Sequence, residues 1–387
     1  MKLIKNVQIF LFFTLLLVMG LSMNLLLDPV FAFQLHFLKK PLLLMFIIIS
    51  ILSLKSISRL QIGSIIQLLL FLFPLYYLII SVFYKEEINI SVVIMYFLWW
   101  VYLSISVPIM NSNEKVKSKL LRYVIYSSII ILLFGVYAFM NDKGYFGQDR
   151  LSFGYENPNY FAQYIQVGLI ALVILKNGFK RISKITWLLI FLSIFLVILS
   201  VSRNVIVFIL IFVLWYMLFN VRIKGFLKYL FIVLSIFIVT NFNYSDVNKI
   251  SSGRLIAWKY QIDELSSHGD YSFLFGAKKY IGQHYSIPTY GRFTETENKK
   301  IHSDNIFLEV FLESGFIGIM FFVIPFFFLW KNLKHVSLKE RRLYESFYVG
   351  AFVQGFFITN FTSFFAPASL ILGLIIMAPI SKKNNNK

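Results

Sequence analysis

The feature that most limits what this chain can fold into is the recurrence of apolar runs about as long as a membrane is thick. Crossing ~30 Å of hydrocarbon takes about 20 helical residues. Runs near that length occupy about 7–27, 41–58, 62–83, 88–110, 121–140, 159–175, 185–201, 204–220, 226–241, 305–330, 345–361 and 364–380, which makes twelve candidate spans. Lipid offers no partner for an open backbone, so the expected form is helix throughout. Only 14% of residues are charged and 58% are hydrophobic, whereas soluble domains average about 25% charged. Cysteine is absent, which removes disulfides, thiolate metal sites and cysteine nucleophiles. The start, Met1 to Asn6 followed by an apolar run to Leu27, has the outline of a signal peptide. It has no small-x-small cleavage site and is long enough to span, so it reads as a retained first helix.

A formal charge of +19 could suggest nucleic acid, but the basic residues follow the membrane instead. With the N-terminus in the cytoplasm and the spans alternating, cytoplasmic segments hold 23 of the 37 basic residues and only Glu114, Glu340 and Glu345 among the acids. That is the positive-inside pattern. The bilayer is the partner implied, nucleic acid is not, and both termini are placed in the cytoplasm. The expected architecture is an all-α polytopic membrane protein, one integral membrane domain over residues 1–387 with about twelve transmembrane helices. One large extracytoplasmic loop, residues 242–304, should contain short helices; a smaller outer connection runs from Asn141 to Asn157.

Most polar groups suited to chemistry fall on that outer side or at its boundary. No ATP is available there, so a reaction needs a substrate activated before it crossed, such as a polyprenyl-diphosphate-linked glycan. Its diphosphate is a good leaving group. Arg suits the diphosphate through a fixed charge and forked donors, and His or a carboxylate can deprotonate an attacking hydroxyl.

Arg203, in the short link Ser200-Val201-Ser202-Arg203-Asn204, either snorkels to the headgroups or points into a cavity between helices. Arg254 opens a helix in the large loop with Trp258 one turn on, a pairing that packing alone also explains. His302 stands just before the tenth span. Ser303 or Asp304 there can cap the helix, whose N-terminus favours an anion. His302, Asn305, Glu309 and Glu313 make one drifting polar stripe. A lipid-facing carboxylate is costly, so Glu309 and Glu313 should face a cavity or a neighbouring helix. Glu295-Thr296-Glu297 has a spacing that could hold a divalent cation, but its polar surroundings read as a solvated stretch, and no metal site or cofactor is assigned.

The order of motifs resembles the O-antigen polymerase/O-antigen ligase superfamily. Arg150 is followed by Asn157-Pro158-Asn159-Tyr160-Phe161-Ala162, then Ser202-Arg203, Gly253-Arg254 with Trp258, and Leu274-Phe275-Gly276. His302-Ser303-Asp304-Asn305 then leads to Glu313-Ser314-Gly315-Phe316-Ile317-Gly318. The resemblance covers about residues 145–325. It implies an inverting, metal-independent glycosyltransferase of the membrane GT-C type, acting on undecaprenyl-diphosphate-linked glycans without a cofactor. His302, Arg254 and Arg203 would be catalytic, and Arg150, Asn159, Trp258, Asn305, Glu309 and Glu313 would bind substrate. A chain-length regulator and a flippase of the same pathway are the protein partners expected.

Polymerase is the favoured reading, for capsule, exopolysaccharide or O-antigen. A ligase-like transferase shares the donor chemistry and differs in acceptor. A flippase should line both halves of a central cavity with basic residues, whereas here the middles of the first nine spans are nearly free of charge.

Overall fold

The structure, a computed structural model, describes residues 2–21, 29–54, 64–86, 88–106, 114–141, 145–146, 150–151, 158–176, 183–200, 202–220, 254–278, 305–335 and 337–356. Twelve α-helices lie within them: α1 (Lys2–Leu21), α2 (Pro29–Leu54), α3 (Ser64–Phe83), α4 (Ile90–Val101), α5 (Glu114–Met140), α6 (Pro158–Leu175), α7 (Lys184–Leu199), α8 (Arg203–Asn220), α9 (Arg254–Ser267), α10 (Ser272–Phe275), α11 (Ile306–Asn332) and α12 (Leu338–Gly355). A π-helical turn, Tyr102–Ser106, continues α4. The all-helical expectation holds except for one short antiparallel pairing, β1 (Tyr145–Phe146) with β2 (Arg150–Leu151), inside the 141–157 connection.

Local chemistry explains where several helices begin. Asn89 and Ser183 accept backbone hydrogen bonds from Val92 and Thr186, 3.3 Å in each case, capping α4 and α7. Pro158 and Pro29 stand at first helical positions, where a missing N–H costs nothing. The second helix begins well before the expected residue 41. Hydropathy stops at Lys39-Lys40-Pro41, but charge does not end a helix and a proline removes only one backbone bond. Lys39 is buried within α2. Likewise α5 and α12 start seven residues ahead of their expected spans, because each opens with charged turns that a hydropathy window discounts.

By length and composition, two described stretches can cross a membrane, Lys115–Met140 and Ile306–Asn332, and six shorter apolar helices accompany them. The expected spans at 226–241 and 364–380 lie outside the described residues. The helix expected within the large loop is present as α9.

Packing follows chain order in part and departs from it at the places that matter. α1 rests on α2 and α5, α5 on α6, and α3 on α4 and α11; α12 returns to lie along α8, distant in sequence. The core is aromatic: Phe12, Phe46, Phe73, Tyr77, Trp99, Tyr102, Phe161, Tyr164 and Phe347 are fully buried. Phe212 of α8 stacks on Phe347 of α12 at 4.5 Å, and Trp99 stacks on Phe322 at 5.8 Å. Offset aromatic pairs of this kind add about 0.5–1.5 kcal/mol each beyond the area they bury. At Gly168 a β-carbon would collide with Ser128, whose hydroxyl donates to the Tyr164 carbonyl (3.0 Å), so α5 and α6 approach closely.

One polar tie crosses this core. Gln166 of α6 and Gln354 of α12 exchange amide hydrogen bonds, both 2.9 Å, and both side chains are buried. Gln166→Ala should cost about 1–3 kcal/mol because it strands the Gln354 amide without a partner. Gln166→Leu with Gln354→Leu should recover much of that loss. Thermal unfolding of the two single variants and the double variant in detergent gives the coupling energy; strict additivity would show that the pair contributes nothing.

Candidate functional site

The α11 helix is two helices. Gly315 has φ 66° and ψ −168°, a backbone that L-residues rarely adopt, and it separates residues 306–314 from 316–332. A helix end leaves its last carbonyls without intrahelical partners, and inside an apolar layer those groups must be re-satisfied. Two of them are. The Ala277 N–H donates to the Leu312 carbonyl at 2.8 Å, and the Tyr76 hydroxyl donates to the Ser314 carbonyl at 3.1 Å.

The segment that supplies Ala277 is the Leu274-Phe275-Gly276 motif of the large loop. Gly276, at φ 86°, lies against the Glu313 and Ser314 backbone, while Gly315 lies against the Leu274 and Phe275 backbone. A β-carbon at Gly315 would run into the Leu274 carbonyl. Two glycine motifs almost forty residues apart therefore form one joint, each glycine making room for the other's chain. Beside it, Leu265 and Ala277 pack with Leu308 and Leu312 in a small second core, with Trp258 and Phe311 at its margin. Trp258 is thus a packing residue for the helix that Arg254 opens, and α9 is fastened to the first piece of α11.

The start of that piece is fixed too. Asn305 is buried and its side-chain oxygen accepts from the Phe307 and Leu308 N–H groups at 3.0 and 3.1 Å, which makes it the N-cap of α11. Gly355, at the end of α12, lies against Ile306 and Phe307. The other side of α12 meets α8 where Gly350 faces Phe208. At the start of α8, Ser202 Oγ lies 2.9 Å from Asn159 Oδ1 and 2.6 Å from Asn204 Oδ1, linking the beginnings of α6 and α8. The starts of α6 and α8 are thus linked to each other, and the start of α11 lies against the C-terminal end of α12, which packs along α8. Each helix start carries a partial positive charge, which favours an anion nearby, although at α11 the Asn305 side chain already takes the Phe307 and Leu308 N–H groups.

The sequence-predicted residues distribute as follows. Arg203 is the first residue of α8, Arg254 the first of α9, and Arg150 belongs to β2; their side chains lie outside the description. His302 lies outside the described residues, three positions before the Asn305 cap. Asn159 joins the α6–α8 junction, and Glu309 lies in the first turn of α11. Glu313 accepts a hydrogen bond from Tyr96 of α4 at 2.9 Å. It is thereby engaged with a neighbouring helix, the alternative that its position in the stripe left open.

Close to it, Lys85 sits 4.8 Å over the Tyr77 ring and donates to that hydroxyl at 3.4 Å. Burial pushes the Lys85 ammonium below its ordinary range, and the Glu313 carboxylate opposes that shift. Tyr76, Tyr77, Tyr96 and Lys85 are the residues that motif reading missed. The available signal was the phenols themselves, since a buried tyrosine hydroxyl needs a partner.

No curated protein and no solved structure matches this chain. A family model does, that of the O-antigen ligase, over residues 188–323. The match takes in nearly all of α7, the whole of α8, α9 and α10, the Gly276–Gly315 joint and the first piece of α11. That match covers about a third of the chain and agrees with the resemblance of its motifs to the O-antigen ligase/polymerase superfamily.

Proposed function

We propose that this protein is a polysaccharide polymerase that joins undecaprenyl-diphosphate-linked oligosaccharide units on the outer face of the cytoplasmic membrane. The reading takes the chain as a twelve-span protein of the GT-C type with both termini in the cytoplasm. The observation that supports it is that α12, packed along α8, ends against the start of α11, with α9 fastened to α11. In this reading Arg203 at the start of α8, Arg254 at the start of α9 and His302 ahead of α11 face one anion-binding region.

In this reading the Arg203 and Arg254 guanidiniums hold the donor diphosphate and neutralise the charge that grows on it as the glycosidic bond breaks. His302 takes the proton from the acceptor hydroxyl, which attacks the anomeric carbon from the face opposite the diphosphate and inverts it. The lipid diphosphate departs with the bonding electrons. No metal is called on, because the two arginines supply the positive charge. Arg150, Asn159, Trp258, Asn305, Glu309 and Glu313 line or support the saccharide path, with Trp258 and Glu313 acting through the helices they anchor.

The deciding experiment is purified protein with a lipid-diphosphate-linked repeat unit and no nucleotide sugar. A ladder of products establishes the polymerase. A single product, formed only when a different lipid acceptor is added, would establish the ligase instead. Absence of any transfer with either acceptor would remove the transferase reading.

A further inference from the structure

We propose that Tyr76 is a positioning residue for the transfer: its hydroxyl clamps the external α9–α10 unit to the break in α11 and so fixes where Arg254 stands relative to the start of α11. This rests on the transferase reading of the same site.

The hydroxyl lies 3.1 Å from the Ser314 carbonyl and 3.4 Å from the Leu274 carbonyl. Those two carbonyls belong to the two chains that the Gly276–Gly315 joint brings together, so one phenol reaches both sides of it. The ring is aimed from outside the joint. It packs against Phe321 at 5.3 Å, and Gly318 leaves room for its edge, since a β-carbon there would come within 3.3 Å of it. Tyr76 is thus held by α3 and by the second piece of α11, while its hydroxyl grips the loop and the first piece.

Besides this clamp, α9 and α10 are held by the Ala277–Leu312 bond, by Glu86 N–H donating to the Lys278 carbonyl at 3.2 Å, by Tyr84 against Phe275 and Phe273 against Phe311, and by a core of a few side chains. Cores that small open locally at low cost. The fourteen residues of α9 extend about 21 Å, so a tilt of about 5° at the clamped end moves the Arg254 end by about 2 Å. A displacement of 1 Å at a reacting centre can cost about 100-fold in rate. A cation that must meet a developing charge is therefore sensitive to this joint, although Tyr76 acts on it only through backbone carbonyls.

Tyr76→Phe keeps the ring and deletes the clamp. The expected result is a fall of about tenfold in kcat with the donor KM within about twofold, and a thermal midpoint lowered by about 2 °C, too little to unfold the protein under assay. A second readout uses the absence of cysteine in the chain. Ala277 is 3% exposed, so in an Ala277→Cys background maleimide labelling reports opening of the joint. Labelling should be about tenfold faster when Tyr76→Phe is added and unchanged when Tyr96→Phe is added, because Tyr96 bonds Glu313 and does not reach the loop. Equal labelling with and without the Tyr76 hydroxyl overturns the clamp, as does wild-type kcat in Tyr76→Phe. If the unsubstituted protein transfers no glycan, the functional reading fails separately, and the labelling comparison still decides the clamp.

Discussion

Gly315→Ala is expected to destabilise the protein by about 3 kcal/mol or more and to detach the α9–α10 unit from α11. The total has identifiable parts. Holding an L-residue in a left-handed backbone costs about 1–2 kcal/mol. The new β-carbon would overlap the Leu274 carbonyl, a backbone group that no side-chain rotation can move aside. Relief requires the joint to open, which gives up the Ala277–Leu312 and Tyr76–Ser314 hydrogen bonds, each worth about 1 kcal/mol.

Gly269→Ala is the matched control. Gly269 has φ 104°, but nothing lies within 4 Å of a β-carbon built there, so only the backbone strain remains. Thermal unfolding in detergent, followed by limited proteolysis between residues 254 and 278, separates the two variants. Equal losses for both would mean that the packing of the joint contributes nothing.

The largest effect on rate is expected at His302. If its imidazole takes the acceptor proton, His302→Ala should slow chain extension by about 10²–10⁴-fold, while binding of the lipid-diphosphate donor is retained. The decline in rate toward acidic pH that an imidazole base imposes near neutrality should disappear from the residual activity. Binding and turnover are measured on the same preparation, so a protein that fails to fold is recognised by lost donor binding. Full polymer length and rate in His302→Ala would exclude the imidazole and direct attention to a carboxylate as the base.

These two substitutions also mark how much of the site was legible beforehand. Leu274-Phe275-Gly276 and Glu313-Ser314-Gly315 stood out as motifs, yet nothing in their spacing says that one fits into the other. The joint depends on two positive-φ glycines meeting across the molecule, and conformation at a glycine is chosen by surroundings rather than by neighbours in sequence. Glu313 could be placed on a polar stripe, but its partner Tyr96 lies on α4, more than two hundred residues earlier. Trp258 looked equally suited to packing and to binding, and only its place beside the small second core favours packing.

What the sequence determined by itself is everything that short-range physics controls. Apolar runs demand helices because lipid cannot solvate backbone, Asn305 caps because its oxygen reaches its own first turn, and prolines at 29 and 158 open helices because their N–H is dispensable there. The absence of cysteine belongs to the same class. Only the tertiary structure decided that α12 returns along α8, that Gln354 meets Gln166, that Tyr76 reaches both Ser314 and Leu274, and that the start of α11 meets the end of α12. Each of those contacts joins residues far apart in sequence, and it forms only when an aromatic core of particular shape has closed around it. Helix propensity and hydropathy are blind to that closure, because they are sums over neighbours along the chain, whereas the site is assembled from neighbours in space.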